Sequence, residues 1–281
     1  MSSLLGMLVK EWFSAPQVQR RPEPAAVMDD EANVEAFHGQ GEGPLIPVYH
    51  FNALAMHALL PEGGTVVDLG SGSGQYLGYL ASCRPDLNII GIDLSAPMVA
   101  TGRRALATRG LDKRVNLIEG DMTDFASLLP AKVDMVSTIF ALHHLPSATH
   151  LAACLAQMAA ARRATGCAVW VFDHVRPNHP ATPEVFPRIF TPTAAREFQL
   201  DSQNSLIASW GFDELSQALE STFGEAIVHR RSRLLRLYQC HWLSARDQAS
   251  KARWQGAELA GATRKDYRSL AGIFPGVPQS A

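Results

Sequence analysis

The run Asp68-Leu69-Gly70-Ser71-Gly72-Ser73-Gly74 places three glycines at alternate positions behind a carboxylate. It closes a short apolar stretch at 65–69 that reads as a strand, and it opens a stretch at 75–83 that reads as a helix. Glycine permits positive-φ turns, and such turns bring backbone N–H groups against a ligand at a helix N-terminus. Asp68 stands at the strand end, where its carboxylate can meet a ligand amine or hold loop N–H groups. The spacing is Gly-x-Gly-x-Gly. A dinucleotide fingerprint requires Gly-x-Gly-x-x-Gly, and the sixth position counted from Gly70 is Gln75.

Four further acids follow at the starts or ends of strands. Asp93 ends the next apolar run, where a carboxylate can hold the two hydroxyls of a ribose. Gly120-Asp121-Met122 follows the third; an acid beside a flexible apolar side chain suits the amine and face of an adenine. Asp134 opens the fourth, which runs into Ile139-Phe140-Ala141-Leu142-His143-His144. Asp173 closes the fifth, in Phe172-Asp173-His174.

The elements that must position these residues alternate. Strands are expected at 65–69, 88–92, 115–119, 133–139 and 167–172, with helices at 75–83, 95–109 and 148–164. Ser95 is the expected cap of the second helix and Gly110 its stop. Continuous apolar strands between helices indicate a parallel sheet covered on both faces. The fold class is therefore α/β and doubly wound, with ligands beyond the carboxyl ends of the strands. After 173 the rhythm breaks. Five prolines lie within 177–192, a helical stretch at 193–222 is interrupted at Gly211, and 225–231 and 234–244 read as a hairpin-like strand pair. A polar amphipathic helix is expected at 245–270 and a loose tail at 271–281. Residues 14–26 read as a loop, and 31–60 as partly helical, with Val34 and Phe37 marking one apolar face.

Taken in order, V-V-D-L-G-S-G-S-G at 66–74, G-I-D-L-S at 91–95, G-D-M at 120–122 and D-M-V-S-T-I-F-A-L-H-H-L at 134–145 resemble the class I S-adenosylmethionine-dependent methyltransferases. The resemblance spans about residues 60–175. It implies a Rossmann-like seven-stranded sheet with helical lid and cap insertions, and S-adenosyl-L-methionine as cofactor. The implied parts are a lid segment at 1–60, a cofactor-binding core at 61–173, a substrate cap at 174–222, and a terminal hairpin and helix at 223–281. Gly70, Gly72 and Gly74 would pass the methionine part, with Asp68 near its amine. Asp93 would hold the ribose, Leu94 and Met98 would pack on the adenine, and Asp121 and Met122 would recognise it. The backbone at Thr138 and Ile139 would meet the amino-acid end.

The implied reaction is methyl transfer to nitrogen, oxygen, sulfur or carbon of a small metabolite. In-line displacement needs an aligned nucleophile first, and a base only where that nucleophile must lose a proton. The candidate catalytic residues are His144, His143, Asp173 and Tyr49. His50, Asn204 and Ser205 are candidates for the substrate wall. The segment 201–209 and the turn Asp173-His174-Val175-Arg176-Pro177 are similar to methyltransferases of the ubiquinone/menaquinone-biosynthesis type, whose inserted helices cap the site. No metal is expected, although His143, His144, Asp173 and His174 include metal-ligating types. Other readings stay open: a cofactor-binding partner subunit without chemistry, a protein or RNA methylator, and a NAD-dependent dehydrogenase. Ser137-Thr138-Ile139-Phe140 stands where amino-group and base methylators carry an N-P-P-Y-type motif.

Composition narrows the classes. The chain has 281 residues, 47% of them apolar, and a formal net charge of -2, which gives no basic excess for a nucleic-acid partner. Cys83, Cys154, Cys167 and Cys240 are too scattered for a disulfide framework or a zinc knuckle. Residues 1–13 do not read as a signal peptide. No apolar run of ~18 residues lacks a charge, so no membrane span is expected. The expectation is a cytoplasmic enzyme acting on a small molecule, with a homodimer left open.

Overall fold

The computed structural model describes residues 3–24, 43–246 and 252–279. Its centre is a seven-stranded sheet in the order β3-β2-β1-β4-β5-β7-β6. The strands are β1 (Thr65–Leu69), β2 (Asn88–Asp93), β3 (Val115–Glu119), β4 (Met135–Ile139), β5 (Ala168–His174), β6 (Val228–Arg231) and β7 (Tyr238–Leu243). The first five are mutually parallel, and β7 runs antiparallel between β5 and β6. The order reverses between β1 and β4, which opens a crevice at their carboxyl ends.

Helices α1 (Leu4–Phe13), α2 (Ile46–Leu59), α3 (Gln75–Cys83), α4 (Ala96–Thr108), α5 (Ala148–Thr165), α6 (Thr182–Phe190), α7 (Arg196–Ala208), α8 (Phe212–Phe223) and α9 (Gly261–Gly272) cover the sheet and its upper end. Strand residues alternate between two cores. Val66, Trp170 and Phe172 join Phe51, Leu77 and Leu80 on one face. Val67, Val169 and Val171 join Cys154, Leu155 and Leu219 on the other. A smaller cluster of Met7, Phe186, Leu206, Leu235 and Leu237 joins α1, α6 and α7 to the segment before β7. The expected caps form: Ser95 accepts from the Met98 N–H, and Gly166 ends α5 at φ 71°. All four cysteines are buried and free.

The second half departs from the sequence reading in three places. The proline-rich stretch after β5 contains α6. Pro183 lies in its first turn, where the missing N–H would have no partner, and Pro187 costs a nine-residue helix only one ladder bond. The last helix is shorter than expected, starting at Gly261. Among the residues before it, Trp254 packs edge-on to His50 and His57, and the Gln255 N–H donates to the Cys83 carbonyl, so tertiary contacts replace helical turns. The tail is not loose: Phe274 and Val277 are buried, and Gln279 Nε2 donates to the Phe51 carbonyl. The expected face at Val34 and Phe37 lies outside the described residues.

Candidate functional site

A cavity of about 950 Å³ lies over the crevice between β1 and β4. Its wall beside the glycine loop is built by sequence-local turns. Gly70, Gly72 and Gly74 all have positive φ, and Gly70 N–H and Ser71 N–H donate to the Ile92 carbonyl, which closes the loop onto β2. At Gly70 no side chain fits: a Cβ would stand 2.3 Å from the Ala141 Cβ. At Gly72 the space is open, so the loop backbone is bare toward the cavity. Asp93 grips the same loop. Its Oδ2 accepts from Gly72 N at 2.6 Å and its Oδ1 from Ser95 N at 2.9 Å. An ionised carboxylate has about four acceptor positions, so two bonds leave capacity for a ligand.

Asp68 is buried and accepts from Ser137 Oγ at 2.6 Å. Burial pushes its carboxyl up to about 7; the Ser137 bond opposes this and the charge of Asp93 adds to it. A buried carboxyl so poorly compensated is suited to a cationic partner. Beside it Ser71 Oγ is buried without a hydrogen-bond partner among the described residues. Leu94, Met98, Asp121 and Met122 line the same wall. Asp121 Oδ1 accepts from the Thr123 N–H, which fixes that turn. The bare loop, the orphaned Ser71 hydroxyl and the under-compensated Asp68 fit a ligand with an amine and ribose hydroxyls.

The other end of the cavity is assembled from distant segments. Ile139 and Phe140 lead into a short 3-10 turn, Leu142–His144. Phe140 has φ 53°, unusual for a bulky residue, and its ring stacks on His174 at 4.5 Å. His144 lines the cavity, whereas His143 lies buried behind it. His143 Nδ1 sits 2.6 Å from Asp173 Oδ1, and Asp173 Oδ2 accepts from the His143 N–H at 3.1 Å. Burial raises the Asp173 carboxyl, but the charge and hydrogen bond of His143 outweigh it, so the net shift is downward. His174 is pushed down to about 4 by burial and then by the positive charge of His143, so it is neutral at pH 7.

The sequence reading missed Glu23. It reaches this end from the irregular segment before α2. Its Oε2 lies 3.4 Å from His144 Nδ1, its Oε1 lies 3.7 Å from His143 Nε2, and Ser205 Oγ donates to Oε1 at 2.7 Å. Burial would raise its carboxyl, but the two histidines bring it down to about 2, and His144 rises to about 8 despite its own burial. Arg20 anchors the segment. Its guanidinium donates to the carbonyls of Ala208, Pro146, His143 and Leu145 and stacks 3.7 Å over Trp210. No motif marks Glu23; the only signal is its place in Arg20-Arg21-Pro22-Glu23-Pro24, where flanking prolines restrict the backbone.

Helix α7 closes the chamber with Glu197, Phe198, Leu200, Asp201 and Asn204. Of the expected substrate residues, Asn204 is on the wall, while Ser205 sits behind it as the partner of Glu23. His50 faces away: its Nδ1 is 2.7 Å from the Tyr79 hydroxyl, and its ring packs against Trp254 and Tyr267. Tyr49 does reach the cavity, and burial raises its hydroxyl, so it stays protonated. Thr138 is interior to β4, below the wall that Ile139 forms.

Comparison with known proteins places this arrangement. Residues 66–166 match the methyltransferase domain family. A probable S-adenosylmethionine-dependent methyltransferase, CRG1 of Saccharomyces cerevisiae, is 24% identical over 70% of this chain and 66% of its own length. A demethylmenaquinone methyltransferase of Roseiflexus sp. is 30% identical over 43% of this chain and 47% of its own. The chain thus spans about two thirds and half of these curated relatives. Among solved structures, the plantazolicin methyltransferase BpumL in complex with SAH aligns at a TM-score of 0.57 and 16% identity, covering 85% of this chain and 95% of that one. An S-adenosylmethionine-dependent methyltransferase from Aquifex aeolicus aligns at 0.52 and 16%, covering 76% and 98%. Fold, loop and sequence match agree: residues 66–166 carry a methyltransferase domain, set in the fold of class I S-adenosylmethionine-dependent methyltransferases.

Proposed function

We propose that the protein transfers the methyl group of S-adenosylmethionine to a heteroatom or carbon of a small metabolite. The observation that carries this reading is the continuity of one cavity, about 950 Å³, from the glycine loop to the chamber under α7. That volume is at the upper end of small-molecule sites and suits a nucleoside-sized cofactor with one further small ligand. The names of the plantazolicin and demethylmenaquinone relatives support a small organic acceptor.

When bound, the cofactor supplies an electrophilic methyl on a sulfonium. The protein's own contribution is binding, orientation and exclusion of water. Asp93 and the loop hold the ribose side, and Asp68 answers the ammonium. Leu94, Met98, Asp121 and Met122 enclose the base. On the acceptor side His144, Glu23, Asp201 and Asn204 offer polar contacts between Phe140, Phe198 and Leu200. His143 and Asp173 act beneath His144, and Tyr49 presents a neutral hydroxyl. Among the described residues the cavity wall carries carboxylates and no Lys or Arg, which favours cationic ligands.

The test is cofactor turnover to S-adenosylhomocysteine with a panel of phenols, amines, thiols and activated carbon acids. Turnover with one class supports the reading, and tight cofactor binding without turnover on any class points to a non-catalytic partner subunit. With an acceptor in hand, His144→Ala should lower kcat by about tenfold or more while cofactor affinity stays within about threefold. An unchanged kcat would assign His144 to structure alone.

A further inference from the structure

We propose that Glu23, His143 and His144 form a binding site for a divalent first-row cation of the zinc class at the acceptor end of the cavity. Their ligand atoms all lie within 4.8 Å of one another, and they make the one such set of three among the described residues. The two Glu23–histidine separations, 3.4 and 3.7 Å, exceed the ~2.7–3.2 Å of a direct N–H···O bond. Two ligands at about 2.0–2.1 Å from one tetrahedral ion stand roughly 3.3–3.4 Å apart, the separation of His144 Nδ1 from Glu23 Oε2, while His143 Nε2 faces the other oxygen, Oε1, and would close in by a few tenths of an ångström on a shared ion.

The surroundings are those of a coordinating histidine. Asp173 Oδ1 lies 2.6 Å from His143 Nδ1. An ionised carboxylate only accepts, so one proton stays on Nδ1, and Nε2, which faces Glu23, is the nitrogen a cation would take in exchange for a proton. The Asp173 Oδ2 bond to the His143 N–H holds both groups in place. A carboxylate behind a ligating imidazole orients it and raises its basicity. Ser205 Oγ orients Glu23 in the same way. His143 and Glu23 are almost completely buried, so their charges are weakly screened. Glu23 and His144 both line the cavity, so the remaining coordination positions would face an acceptor's oxygen, nitrogen or sulfur. A set of two histidines and one glutamate with an open position is typical of zinc sites that bind a further ligand. None of the three ligands belongs to the glycine loop or to its anchor Asp93, so the proposal does not depend on methyl transfer.

The test is calorimetric titration of chelator-stripped protein with Zn2+, alongside the visible spectrum with Co2+. The expected result is one bound equivalent, with intense Co2+ bands of four- or five-fold coordination. Glu23→Gln and His144→Ala should each weaken Zn2+ binding by about tenfold or more, and Asp173→Asn by about 10–100-fold. S-adenosylmethionine binding, measured on the same samples, reports whether each variant is folded and keeps this outcome separate from the methyltransferase reading. Absent Zn2+ binding, or binding equal in variants and parent, would overturn the proposal and leave an ion pair that latches the segment around Glu23. Where a variant does not fold, the parent's Co2+ spectrum decides: only the weak bands of an octahedral, water-ligated ion would overturn it.

Discussion

The two ends of the cavity are built on opposite plans. The end proposed for the cofactor draws Asp68, the glycines, Asp93 and Asp121 from strand ends within about 55 residues of chain, and the other end is the one proposed for the acceptor. Each sits at the tip of an element whose own pattern places it. The acceptor end gathers Glu23 from before α2, His143 and His144 from the turn after β4, Asp173 from β5, and Asp201 and Asn204 from α7. Its parts are tied together by long-range bonds such as those of Arg20. Rigid strand ends suit a ligand common to many enzymes. A surface pieced together from a strap and a cap helix changes its lining without disturbing the sheet.

The sharpest way to break this contrast is Gly70→Ala. Its Cβ would meet the Ala141 Cβ at 2.3 Å, and φ is +69°. Overpacking costs about 1–3 kcal/mol, and a left-handed non-glycine residue about 1–2 more. The expected loss of stability is therefore roughly 2–5 kcal/mol by denaturant titration. Ala141 sits directly before the Leu142–His144 turn, so this one position couples the two ends. An unchanged midpoint would show that Gly70 does not pack against Ala141 as described.

Two substitutions of intermediate size should separate the ends. Asp93→Ala removes the anchor of Gly72 and a charged acceptor facing the cavity. Cofactor affinity should fall by roughly 1.5–3 kcal/mol, about 10–150-fold, read by calorimetry. Arg20→Ala should do the reverse. It strips the carbonyls of Ala208, Pro146, His143 and Leu145 of their shared donor and loosens Glu23. The expected cost is about 1–3 kcal/mol of stability and a raised acceptor KM, with cofactor Kd within about threefold. Equal damage to cofactor binding from both variants would mean that the ends are one unit.

The same contrast explains what was legible in the sequence. The doubly wound sheet, the loop, Asp93 and the Asp121-Met122 turn follow from apolar runs that end in glycine and acid, because local pattern and burial agree there. The hairpin of β6 and β7 is legible for the same reason. Glu23 is invisible because its position depends on the Arg20 contacts, which no local pattern encodes. His50 misleads because its helix turns it toward Tyr79, Trp254 and Tyr267, not toward the neighbouring cavity that Tyr49 reaches. The prolines of α6 misled in the opposite sense. Proline counts against helices in general, yet in a first turn it favours one.

The smallest expected effect is a pH dependence confined to the cofactor end. Asp68 faces the Ser137 hydroxyl, the charge of Asp93 and the Tyr76 hydroxyl, which burial keeps protonated. Its folded carboxyl titrates at about 7, above the ordinary value of 3.8. The folded protein without ligand therefore holds a proton that the unfolded chain has lost. By itself this group makes stability fall as pH rises from its unfolded value to about 7. A cofactor ammonium reverses the preference, because it pairs with the ionised form. Binding should expel the Asp68 proton, and affinity should rise with pH up to about 7, by at most about tenfold per unit. Above about 7.7–8.0 an ordinary α-amino group loses its own charge, so affinity should pass through a shallow maximum. Calorimetry in buffers of different ionisation heat reads the released proton directly. Asp68→Asn should weaken binding and flatten the acid limb, while Asp93→Ala should weaken binding and keep that limb, shifted to lower pH because a neighbouring negative charge is gone. If the acid limb survives Asp68→Asn, the ammonium is answered by another group, and the division of labour between loop and strand end must be redrawn.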